Sequence, residues 1–113
     1  MPYDERLAAR VRDELTSRPD VSERRMFGGL TFMVGGHMCC GVLSDRLVVR
    51  LGEEGAREAL SEPFTHPMDF TGRPAKGFVY LDAEAVRTRR ILQKWISLTV
   101  RFTMTLPPRD VHR

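Results

Sequence analysis

Two adjacent glycines, Gly35 and Gly36, restrict the fold of this chain more than any other pair of residues. They separate two β-prone apolar segments, residues 26–34 and 38–43, and a Gly-Gly pair in that position is typical of a two-residue hairpin turn. A second short turn leads into a third β-prone segment, residues 46–51. Three short strands joined by tight turns predict an antiparallel meander.

The segments around the meander complete the predicted fold. Gly28 and Gly29 predict a bulge or a close backbone approach inside the first strand. Periodicity and turn residues predict, in chain order, a helix over 4–17 capped by Asp4, a short helix over 53–60, an irregular segment over 63–76, a fourth strand over 78–81 and a helix over 83–104 capped by Asp82. The order α-β-β-β-α-β-α predicts an α+β fold, with helices on one face of an antiparallel sheet. The length of 113 residues predicts one domain over 1–113, with a frayed tail at 107–113.

Two faces of the last predicted helix carry contrasting side chains. A helical projection places four apolar residues in one arc: Ile91, Trp95, Leu98 and Phe102. Leu92 and Ile96 widen this apolar side. The projection places four basic residues in an adjacent arc, which we call the basic stripe: Arg87, Arg90, Lys94 and Arg101. One interpretation is that the apolar arc is core and the basic stripe is simply solvated. The other is that the basic stripe binds phosphate or an acidic partner.

Charge and cysteine usage bear on partners and compartment. Residues 1–70 have a net charge of −3 and residues 71–113 of +6, which favours an anion-facing surface in the second part. No apolar run approaches the ~20 residues that cross a bilayer. The N-terminus is charged from Asp4 onward, so we expect a cytoplasmic protein without membrane contact. Cys39 and Cys40 are neighbours on a strand, are expected on opposite faces, and fit a reducing compartment as free thiols.

Catalytic and metal-binding patterns are weak in this sequence. His37 and Cys39 share a strand face and are weak candidates for a metal site, with His66 as a third residue that could approach them. A buried, inert thiol pair is the favoured interpretation. The chain has no phosphate-binding glycine loop, nucleophile elbow or zinc-protease motif. We therefore expect no catalytic residues, no enzyme activity and no cofactor.

The segment 67–77 combines apolar and basic residues between proline and glycine. Its basic residues, Arg73 and Lys76, are further candidates for contact with a partner or a nucleic acid. A tightly packed structural crossover is the alternative interpretation.

Three segments together resemble the N-terminal domain of the TfoX/Sxy proteins. The first, 25–29, contains Met26, Phe27, Gly28 and Gly29. The second is the hairpin 36–42 followed by 47–50. The third, 67–80, contains Pro67, Met68, Gly72, Arg73 and Gly77. The similarity runs from about residue 5 to residue 106, and Ala75 stands where such sequences commonly have methionine.

The resemblance implies an α+β domain with a curved antiparallel sheet, in a bacterial cytoplasmic protein. It also implies a link to transcription, because named members are coactivators that act with the cAMP receptor protein at competence promoters. It supplies no catalytic residues, and it implies a structural role for the shared motif residues. Full-length members carry a further C-terminal helical domain, so we expect this chain to be a short, stand-alone form.

The sequence thus leaves three hypotheses. The first is a TfoX-like regulatory binding module that contacts a protein partner, such as transcription machinery, or DNA through the basic stripe or segment 67–77. The second is a domain that binds a small ligand or metal near Gly28, His37 and Cys39. The third is a homodimeric accessory protein.

Overall fold

A single antiparallel sheet organises the part of the chain that the structure describes. The computed structural model describes residues 3–26, 28–70 and 73–107, apart from the side chains of residues 70, 73 and 74. The elements are α1 (Glu5–Leu15), β1 (Val21–Met26), β2 (Gly29–Val34), β3 (His37–Leu43), β4 (Arg46–Arg50), α2 (Gly52–Ala59), β5 (Thr65–Phe70), β6 (Arg73–Leu81), a 3₁₀ turn (Ala83–Val86) and α3 (Arg89–Thr103). Six strands in these ranges follow the order β1-β2-β3-β4-β6-β5, which confirms the α+β prediction.

The main core lies between the three helices and one side of the sheet, which we call the helix face. Alternate strand residues such as Phe32, Leu47 and Val79 are fully buried there against Val11 of α1 and Trp95 of α3. The opposite side of the sheet, which we call the open face, carries the intervening residues of each strand. Among the described residues, no helix is long and apolar enough to cross a membrane.

Local sequence signals account for the elements that were predicted well. The Asp4 carboxylate accepts hydrogen bonds from the backbone N–H groups of Arg6 and Leu7, which caps α1 as expected. Gly35 and Gly36 both have positive φ angles, 59° and 83°, so they form the hairpin turn between β2 and β3.

The first strand differs from its prediction. The segment 26–34 is not one strand, because β1 ends at Met26 and β2 begins at Gly29. Gly28, with a φ of 77°, belongs to the turn between them, so no bulge lies at Gly28 and Gly29. The alternative prediction, a close backbone approach, is confirmed at Gly29, where a Cβ would clash with the Val42 carbonyl oxygen. The sheet has its bulge at Cys39 instead, since Cys40 pairs with Phe32 and Met38 pairs with Met33.

The segment predicted as irregular is largely a hairpin. Strand β5 runs antiparallel to β6, and the register shifts between Pro67 and Asp69. Pro67 is compatible with β5 because β5 is an edge strand, where one side of the backbone needs no ladder partner.

The last predicted helix is broken in two. The 3₁₀ turn ends at Val86, and α3 begins at Arg89, where the Thr88 hydroxyl accepts a hydrogen bond from the N–H of Ile91. Asp82 precedes the 3₁₀ turn and makes no side-chain capping bond there, so the predicted cap is wrong. The buried face of α3 agrees with the projected apolar side at Leu92, Trp95 and Ile96. It differs at Ile91, which is 37% exposed, and at Thr99 and Thr103, which are buried.

Candidate partner-binding face of the sheet

A shallow apolar groove crosses the open face of the sheet. It is lined by Met26, Gly29, Leu30, Thr31, Met38, Gly41, Val42, Leu43, Val48 and Met68. Its cavity volume is about 20 Å³. Val48 and Met68 are each 2% exposed and form its buried base, whereas Met26 and Met38 are half-buried at its sides. Met26, Met38, Val48 and Met68 make a small apolar cluster outside the main core, to which Leu30 and Val42 belong.

The bulge at Cys39 sets which residues of β3 face this groove. Because Cys39 has no partner on β2, the alternation of side chains is interrupted between Met38 and Cys40. Met38 pairs with Met33 on the open face, while Cys40 pairs with Phe32 on the helix face. The extra residue therefore keeps a methionine in the groove and both cysteines in the core.

Arginines cover the aromatic rings beside the groove. The guanidinium carbon of Arg50 lies 5.4 Å from the Phe78 ring centre, and that of Arg46 lies 5.2 Å from the Tyr80 ring centre. Both distances fit cation–π contact. Arg50 Nη1 also donates to the carbonyl of Met38 at 3.2 Å, so this charge is held directly at the groove.

A polar cluster lies at the far end of β4 and β6 on the same face. The Asp82 carboxylate contacts Arg46 Nε at 3.2 Å through one oxygen and His66 Nε2 at 2.6 Å through the other. The Asp82 side chain is 26% exposed. Its charge is therefore already engaged by two partners at this end of the face.

On the helix face, one hydroxyl bonds to both strands where the pairing of β3 with β4 ends. The regular pairing of these strands ends at Cys40 and Val49. Just beyond it, Thr99 Oγ1 accepts from the backbone N–H of Arg50 at 3.0 Å and lies 2.7 Å from the carbonyl oxygen of Cys39. It lies 2.8 Å from the Arg50 carbonyl oxygen as well, so its one proton serves two acceptors.

The two cysteines are both buried in the main core, so their predicted placement on opposite faces is wrong. A hydrogen bond from the Cys40 thiol, aided by Thr103 and Thr99, lowers the pKa of Cys39 to about 7. The same hydrogen bond, together with burial, raises the pKa of Cys40. Their burial was predicted correctly; the bulge, which brings the thiols together, has no local sequence signal.

The basic stripe is only partly reproduced. Arg90, Lys94 and Arg101 are exposed on α3, but Arg87 precedes the helix and follows the 3₁₀ turn. Lys94 Nζ lies 2.8 Å from a Glu62 carboxylate oxygen and 4.8 Å from the Trp95 ring centre. Of the three residues of the basic stripe that lie on α3, Lys94 is thus paired with a neighbouring carboxylate.

The motif residues of the resemblance lie in several parts of the structure. Met26, Gly29 and Met68 line the groove. Gly77 instead packs against α2: it has a φ of 84°, and a Cβ there would lie 3.2 Å from the Cα of Gly52. Pro67 and Lys76 are exposed on β5 and β6, and Gly28 is in the first turn. Phe27, Gly72 and the Arg73 side chain lie outside the described residues.

The weak metal candidates have other contacts. His37 Nε2 lies within hydrogen-bond distance of the Pro107 carbonyl oxygen, and the Cys39 thiol lies 3.8 Å from Thr99 Oγ1. In the ranges that the structure describes, no three His, Cys, Asp or Glu residues are grouped so that they could hold a metal ion.

Sequence inspection missed the three arginines of the open face, Arg24, Arg46 and Arg50. A signal existed for two of them, since Arg46, Val48 and Arg50 alternate with the core residues Leu47 and Val49. Arg24 had no such signal, because its strand is exposed on both faces.

Fold and groove together define a class of protein: a small two-layer α+β domain whose sheet carries an apolar, arginine-flanked open face. The chain matches the family model of the TfoX N-terminal domain over residues 13–103, and it belongs to that family. A search of curated proteins found no match.

Proposed function

We propose that this domain is a non-catalytic, TfoX-like regulatory module that acts in the cytoplasm on gene expression by binding a protein partner with the open face of its sheet. The family includes regulators of competence genes, so transcriptional coactivation is the process we propose. The observation that supports this surface is the position of Met26, Gly29 and Met68, which come from two separate motif segments and line one solvent-accessible groove.

The chemistry of the groove favours a protein over a nucleic acid as the partner. Protein interfaces are typically built around an apolar centre with methionine and arginine enriched, and the open face has this composition. The alternative surface, the basic stripe, is broken at Arg87 and neutralised in part by the Lys94–Glu62 ion pair. Weak, partly neutralised charge on one helix is a poor phosphate-binding surface.

Transcript profiling in the source cells tests this proposal. The gene is deleted and complemented with wild type, with Met38→Asp, which places a charge in the groove, or with Arg57→Asp, an exposed change on α2. We expect deletion to alter a defined set of transcripts, which wild type and Arg57→Asp restore and Met38→Asp does not. Each variant is compared by thermal unfolding and cellular level, so that loss of folding is recognised.

Two results would contradict the proposal. If deletion leaves the transcripts unchanged, the regulatory function is wrong. If a folded Met38→Asp restores them as well as wild type does, the open face is not the contact surface.

A further inference from the structure

We propose that the groove binds an apolar side chain presented by an acidic peptide segment of the partner. This inference rests on the proposed function, because it names the chemistry of the partner for the same face. It follows from three features of the open face: the size of the groove, the sign of the charges beside it, and the way its aromatic rings are covered.

The size of the groove suits a side chain better than a cofactor. Its cavity volume is only about 20 Å³, far below the ~300–1,000 Å³ typical of small-molecule sites, so a partner side chain would lie over the groove rather than deep within it. Its half-buried walls are Met26 and Met38, and methionine side chains adapt to different apolar shapes because they are unbranched and polarizable. We therefore expect a leucine-like or methionine-like anchor rather than one rigid ligand.

The charges beside the groove are positive on two sides. Arg24 is exposed on β1, on the open face two residues before Met26. Arg50 is held at the opposite side by its bond to the Met38 carbonyl. Asp82 is on the same face but is already bound to Arg46 and His66. Carboxylates next to the apolar anchor would thus meet guanidinium groups, which bind them with two parallel hydrogen bonds.

Other occupants fit this face less well. A single-stranded nucleic acid needs exposed aromatic rings on which bases stack, whereas Arg46 and Arg50 lie over Tyr80 and Phe78. A second copy related by a two-fold axis would bring the same arginines toward each other, which is unfavourable.

Fluorescence anisotropy with purified full-length chain and labelled, blocked peptides tests the inference. The probe has two central leucines flanked by aspartates; its two controls replace the aspartates by lysines or the leucines by alanines. Arg24→Glu is compared with Arg57→Glu, the same change on the exposed side of α2, where the Arg57 side chain is 73% exposed. Both positions are on the surface, so both variants are expected to fold.

We expect only the aspartate–leucine peptide to bind, more weakly as salt rises. Arg24→Glu should weaken it roughly three- to tenfold, since an attractive contact becomes repulsive, and Arg57→Glu should not. Equal binding of the lysine peptide, no binding of any peptide, or equal effects of the two variants would overturn the inference. So would a single-stranded oligonucleotide that binds more tightly with the same Arg24 dependence, or a dimer in light scattering that Arg24→Glu dissociates.

Failure here is distinguishable from failure of the proposed function. If transcripts depend on Met38 but the peptides do not bind, the open face is the contact surface and its partner has another chemistry. If transcripts do not respond to deletion of the gene, the regulatory function itself is wrong.

Discussion

Replacing Thr99 by valine removes one hydroxyl from the centre of the domain while almost preserving side-chain volume. The hydroxyl is fully buried and serves the N–H of Arg50 and the carbonyl of Cys39, at the place where the β3–β4 ladder ends. With valine, the N–H of Arg50 and the carbonyl of Cys39 lose the hydroxyl as a hydrogen-bond partner. Because valine has nearly the same volume as threonine, no space is left for a water molecule to replace it. An unsatisfied buried polar group costs about 1–3 kcal/mol, so we expect a loss of about 2–4 kcal/mol in the free energy of unfolding.

Urea unfolding measured by Trp95 fluorescence checks this value, because Trp95 is the sole tryptophan and is 2% exposed. The matched control is Thr103→Val, one helical turn further along α3. Its hydroxyl donates to the carbonyl of Thr99, which lies four residues earlier in the same helix, so the expected loss is below about 1 kcal/mol. Equal losses in the two variants would refute the assigned role of the Thr99 hydroxyl.

Two further predictions concern the cysteine pair and the contact between α2 and α3. Because the pKa of Cys39 is about 7 in the folded protein and higher when unfolded, its stabilising effect is present at alkaline pH and is lost as pH falls through 7. The free energy of unfolding of wild type, relative to Cys39→Ser, should therefore rise between pH 7 and the unfolded pKa of about 8.5; a flat difference across that range would contradict the lowered pKa. Gly52→Ala should destabilise the protein by about 1–3 kcal/mol more than Gly28→Ala, since both glycines have positive φ but only at Gly52 would a Cβ meet the Phe102 ring. Equal changes in melting temperature would show that the ring moves aside without cost.

The strands that sequence inspection missed are the two at the edges of the sheet. An interior strand reveals itself by buried residues, but β1 is exposed on both faces over residues 22–25 and includes Glu23, Arg24 and Arg25. Strand β5 includes Pro67, which usually argues against a strand. Charged residues and proline protect the edges of a sheet from pairing with other chains. The same residues interrupt the apolar alternation by which a strand is predicted from sequence.

The misplaced face of α3 has a related cause. A projection by hydrophobicity assigns threonine to the surface, yet Thr99 and Thr103 are among the most buried residues of the helix. The Thr99 hydroxyl bonds to the carbonyl of Cys39 on β3, and the Thr103 hydroxyl bonds to the carbonyl of Thr99 within α3. By contrast, the α1 cap and the hairpin at Gly35 depend only on neighbouring residues, and these were predicted.

The candidate site was predictable only in part. The motif segments pointed to residues that do line the groove, including Met26 and Met68. The groove itself depends on pairing across four strands and on the shifted position of Met38, which no single segment encodes. Whether the basic stripe binds a partner stays a prediction, and the homodimer stays an untested hypothesis.

The order of strands in the sheet also has a consequence for how the chain folds. Strands β1 to β4 pair as sequence neighbours across short turns, and such local pairing forms quickly because little loop entropy is lost. The pairing of β4 with β6 closes a longer loop, because α2 and β5 lie between these strands in the sequence. Helix α1 can bury its apolar side chains only when the sheet and α3 have formed. We therefore expect a transition state with an ordered meander over residues 21–50, in which mutations such as Val42→Ala slow folding while mutations in α1 mainly speed unfolding.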